Sequence, residues 1–106
     1  MMNEHGFAGF DHIDLRVHDL AAARPLYDAL LPALGLTDIH ETDGAIKYYE
    51  PRRIDAPTRF FGLNGSPGHR GDASRIAFTA RSAADVDRLA SIATDAVEDD
   101  IAMNSD

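Results

Sequence analysis

The run Asp11–Ala21 (DHIDLRVHDLA) is echoed 63 residues later by Ser74–Ala84 (SRIAFTARSAA). Each copy alternates apolar and polar residues and then reaches a capping residue, Asp19 or Ser82, that opens an alanine-rich helical stretch. A strand-then-helix start used twice restricts the chain to folds built from a repeated module. Three further strand candidates follow the first copy, whereas only a helix follows the second. The second module is therefore expected to be incomplete.

Composition bounds the answer. A chain of 106 residues makes one domain that buries a little over ~60% of its unfolded surface. No apolar run approaches the ~20 residues of a membrane-spanning helix, and Met1–His5 shows no export signal. Without cysteine there are no disulfides, no thiolate nucleophile and no zinc–thiolate site, and a cytoplasmic setting is expected. The net charge of −8 speaks against nucleic acid, whose phosphates need a basic stripe. Residues 82–106 hold seven acids and one Arg, so the acidity belongs mostly to the C-terminal helix and tail. That pattern reads as a solvated helix face and a frayed end, with cation binding as the lesser reading.

Along the chain, residues 10–17 read as a half-buried strand with Ile13, Leu15 and Val17 on one side and His12, Asp14 and Arg16 on the other. A helix capped by Asp19 runs to about Leu34 on the stripe Leu20, Ala23, Tyr27, Leu30, Leu31 and Leu34. Pro25 predicts a kink or a later helix start near Arg24, and Pro32 with Gly35 closes the helix. Residues 36–42 and 45–50 form a hairpin about Asp43-Gly44. Residues 51–57 form a loop, 58–64 a fourth strand, and 64–74 a flexible connector. Residues 75–80 are a fifth strand. Ser82 and Asp85 sketch a capping box for a helix to about Ala96, with an apolar stripe of Ala83, Val86, Leu89, Ala90, Ala93 and Val97.

The opening FDHIDLRV, the helix that follows it and its close at Leu34-Gly35-Leu36 resemble the start of the vicinal oxygen chelate superfamily, which includes glyoxalases, bleomycin-resistance proteins and extradiol dioxygenases. Arg75–Ser82 resembles the start of that superfamily's second module. The resemblance implies an α+β fold: a βαβββ module over 7–64, a connector over 65–74, a truncated second βα unit over 75–96 and an acidic tail over 97–106. The sheet is expected to be curved and mixed, glyoxalase-like, with its helices on one face. In that superfamily, paired modules curl around a cavity, and a divalent metal is held from the first and fourth strands of each module. His12 falls at the first ligand position. The fourth strand offers no His, Asp or Glu, and Arg75 stands where the second module would present a His. One imidazole cannot hold a metal that wants about three protein ligands, and a permanently charged Arg repels it. No cofactor is therefore expected, with a divalent metal at His12 as the minor case.

The cavity reading names His12 as the acid–base group and Asp14, Arg16, Tyr48, Tyr49, Phe60 and Arg75 as ligand-lining residues. Tyr48 and Tyr49 put one ring on each face of the sheet, as do Phe60 and Phe61, and which member lines the cavity stays open. His40 and Glu50 could pair across the hairpin. An unpaired sheet edge predicts a two-fold homodimer in which one sheet completes the other. The functional alternatives are a small-molecule-binding relative of these proteins, a non-enzymatic module acting through dimerisation or partner binding, and a metal-dependent lyase or dioxygenase using His12 in a dimer.

Overall fold

The computed structural model of the chain describes residues 6–52 and 58–104, so most of the expected 51–57 loop and the N-terminal segment 1–5 lie outside the described residues. The first alternating run forms strand β1 (His12–Val17), and helix α1 (Leu20–Ala33) follows at once. Asp19 caps α1 by accepting the Ala22 amide at 3.2 Å. Pro25 lies inside α1 and does not delay its start, which falls at Leu20. The proline leaves the Ala21 carbonyl without its helical donor. Ala21 is exposed, so water can satisfy that oxygen. The helix closes on a Schellman pair, with Leu36 N–H donating to the Leu31 carbonyl and Gly35 N–H to that of Pro32, each at 3.0 Å. Gly35 supplies the left-handed φ of +101° that this close requires.

The hairpin forms about Asp43-Gly44 as β2 (Asp38–Thr42) and β3 (Ala45–Tyr49), and β4 (Phe60–Gly65) completes the sheet. The order is β1-β4-β3-β2, with β1 and β4 parallel and the other pairs antiparallel. One face carries Ile13, Leu15, Ile46, Tyr48, Phe61 and Leu63 against α1, and Leu31, Ile46, Tyr48, Phe61 and Leu63 are its fully enclosed members. Each such side chain contributes roughly 1.5–3 kcal/mol on leaving water. The fold is α+β with a mixed sheet and two helices, as the sequence led us to expect.

Two features depart from expectation. Residues 75–80 form no strand. They instead lie beside the helices, where the Phe78 ring is 5.8 Å from Phe61. Apolar contact there takes the place of ladder hydrogen bonds, and among the described residues both edge strands, β1 and β2, keep one side unpaired. Helix α2 (Ala83–Asn104) also continues past Ala96 into the segment expected to be a tail. Ser82 caps it through the Asp85 amide at 3.1 Å, but Asp85 turns to Arg88 rather than back to the cap, so the capping box is half made.

Helix α2 packs on α1 rather than on the sheet. Its half-covered residues are Asp85, Leu89, Ile92, Ala93, Ala96 and Asp100. The expected apolar stripe is thus rotated: Val86 and Val97 face solvent. The molecule is drawn out, with a radius of gyration of 15.5 Å and extents of 55 × 33 × 29 Å. A compact domain of this length would give about 13 Å.

Candidate functional site

The sheet face turned away from α1 gathers most of the chemistry. Period-two alternation and the strand register place His12 (β1), Phe60 (β4) and Tyr49 (β3) side by side in one row. The next row holds Asp14, Gly62, Lys47 and His40, and the third holds Arg16, Asn64 and Ala45. His12 stacks on Phe60 with ring centroids 4.7 Å apart and planes 3° from parallel. Tyr49 follows at 4.9 Å, and the Lys47 ammonium sits 5.2 Å from the Phe60 centroid, within cation–π reach.

Asp11 and Asp14 bracket the imidazole. His12 Nδ1 lies 2.7 Å from Asp11 Oδ2, and Nε2 lies 3.8 Å from Asp14 Oδ2. In a neutral ring that donates its Nδ1 proton to Asp11, Nε2 is the acceptor, on the side of Asp14. The Asp14 carboxylate in turn leans over Gly62, into space that any Cβ at that position would fill. Asn64 Nδ2 donates to Asp14 at 3.4 Å, a long hydrogen bond.

Of the sequence-derived site residues, His12, Asp14, Arg16, Tyr49 and Phe60 share this face. Tyr48 does not. It is fully buried beneath α1, and its hydroxyl donates to Asp28 at 2.5 Å, so it cannot line an open cavity. Burial, reinforced by that hydrogen bond, raises the Tyr48 phenol far above its ordinary value. Arg75 is exposed in the 75–80 segment, which is not a strand of the sheet, and among the described residues it makes no hydrogen bond or ion pair with the open face. Nor do His40 and Glu50 pair. His40 lies opposite Lys47 and 3.0 Å from Asp38, while Glu50 accepts the Arg59 amide at 3.0 Å and its Nε at 3.2 Å.

The sequence reading missed Asp11, Lys47, Gly62 and Asn64. Lys47 and Asn64 were visible in principle, because both sit at the alternation phase of Tyr49 and Phe60. The role of Gly62 emerges only when β1 and β4 are paired.

The donor set does not fit a metal within one chain. Among the described residues, no three His, Asp or Glu side chains converge as a divalent ion requires. The fourth-strand position in register with His12 is Phe60, whose ring covers one face of the imidazole. No helix among the described residues is long and apolar enough to cross a membrane.

A crystal structure of a glyoxalase/bleomycin resistance protein from Albidiferax ferrireducens T118 superposes on this chain with a TM-score of 0.59 at 27% identity. The match covers 81% of this chain and 69% of that one. This chain has the glyoxalase/bleomycin-resistance fold. The resemblance to the vicinal oxygen chelate superfamily, first read from FDHIDLRV and the helix after it, is thereby borne out. No family model and no curated protein matches the chain. Within this glyoxalase-like fold, His12 lies on the sheet face turned away from α1, on the edge strand β1.

Proposed function

We propose that this glyoxalase-like chain binds a small molecule on the open face of its sheet, with the metal site of the superfamily largely lost. The observation that carries the reading is the His12–Phe60–Tyr49 row with Asp14 bent over Gly62 beside it. Rings and ionisable groups converging on a bare stretch of backbone are the ingredients of a small-ligand site. Arg16 and Lys47 bring positive charge to the same face, which suits a small anionic ligand with a planar part. A second copy closing over the unpaired β1 edge would turn that face into a cavity, and the partner's own 75–80 segment could then supply the missing arginine. A cytoplasmic homodimer is part of this reading.

The test is a titration of the full chain with small aromatic carboxylates, benzoate first, followed by amide NMR. Shifts confined to β1, β3 and β4 residues of the open face support the reading. Spectra unmoved by the whole panel would leave the non-enzymatic module, acting through self-association or a partner, as the better account. Addition of Zn²⁺, Ni²⁺, Mn²⁺ or Fe²⁺ should leave the melting temperature unchanged. A saturable rise that disappears in His12→Ala would favour the metal-dependent lyase or dioxygenase reading instead, since a ligand that binds only the folded state stabilises it.

A further inference from the structure

Helix α2 offers two apolar rows and uses one. Leu89, Ile92, Ala93 and Ala96 belong to the half-covered row turned to α1. Roughly a quarter turn away lie Val86, Ala90, Val97 and Ile101, spaced so as to share one line along the helix. Val86 is 54% exposed, Val97 42% and Ile101 61%. This second row borders a groove of about 240 Å³ lined by Leu30, Leu34, Phe78, Val86, Leu89 and Ala93. Phe78, itself 41% exposed, contributes the groove's aromatic ring. From Val86 to Ile101 the row spans about 23 Å, the length of a four-turn helix.

Charge decides what can lie there. The flank of the exposed row that faces away from α1 carries Asp87 and Glu98, with Thr94 between them. Between Ala93 and Ile101 the helix has Asp95, Glu98, Asp99 and Asp100 and no basic residue. These acids also stand toward the C-terminal, negative end of the helix dipole, the end that favours cations. A second copy's α2, laid antiparallel along the row, would bring Asp87 of one chain beside Glu98 of the other, and like charges would oppose it.

We infer that the exposed Val86/Val97/Ile101 face of α2, together with the neighbouring Phe78, is a docking surface for a cationic amphipathic helix of another protein. Its apolar side would enter the groove, and its Lys or Arg flank would meet Asp87 and Glu98. This inference stands apart from the ligand-binding face, which lies on the other side of the sheet from α1.

A charge-swap experiment tests it with the full chain and two fluorescent 18-residue helical probes. Both carry leucines at three- and four-residue spacing; one has lysines on its flanks and the other glutamates. The lysine probe should bind saturably, and Ile101→Asp or Val97→Asp should weaken it by about tenfold or more. Asp87→Lys/Glu98→Lys should weaken the lysine probe and admit the glutamate probe. Because all four positions are exposed, circular dichroism should show the variants still folded. Three outcomes overturn the inference: equal affinity for both probes, lysine-probe binding unaffected by the charge swap, or a homodimer that Ile101→Asp dissociates.

Discussion

Adjacent side chains Tyr48 and Tyr49 have opposite fates. Tyr48 closes the core beneath α1 and is held by Asp28, which Arg24 also engages at 3.1 Å while reaching across to Glu41. Tyr49 stands beside Phe60 on the open side. Alternation in the sequence separates the two rings but cannot say which one α1 covers, because that depends on how β3 registers against β4. Removing the hydroxyl in Tyr48→Phe should cost about 1–2 kcal/mol, measured by urea denaturation at neutral pH. The pH dependence follows from the raised phenol. The folded state holds the proton more tightly than the unfolded one, so the associated stability is intact below about pH 10 and falls as pH rises above it. Tyr48→Phe should flatten that alkaline limb; an unchanged limb would mean that another group governs it. At Gly62, a Val side chain must displace the Asp14 carboxylate. Gly62→Val should therefore alter carboxylate-probe binding far more than it alters folding, read by the same NMR titration.

The elements themselves were legible because local signals agree with one another: alternation in β1, the cap at Asp19, the turn at Asp43-Gly44 and the left-handed Gly35. Residues 75–80 show where local signals run out. Their alternation matches that of β1, yet a strand exists only where an edge accepts it, and the connector leads this segment to the helix side instead. The orientation of α2 was misread for a related reason. Two apolar rows compete on one helix, and only the position of α1 chooses between them. Leu89→Ala should lower stability by about 2 kcal/mol, whereas Val97→Ala should stay within about 0.5 kcal/mol in thermal melts. Equal losses would put Val97 back in the interior.

For the molecule as a whole, the second copy proposed above would meet the edge of the sheet at β1, whose outer side has no strand partner among the described residues. Size-exclusion chromatography with light scattering should report twice the chain mass at micromolar concentration; a stable species of 11.5 kDa would remove the second copy from the proposed cavity. The open-face constellation was half visible in the sequence, since His12, Asp14 and Arg16 share one alternation phase. The other half depends on β4, whose Phe60 lies 48 residues beyond His12. That separation has a kinetic side. The β2-β3-β4 meander can assemble from near neighbours, while β1 must close a long loop to reach its single neighbour. The strand that carries the imidazole should therefore be the last to lock during refolding and the first to exchange its amide protons with deuterium. Whatever chemistry this face performs would then be switched on only once the rest of the chain is already home.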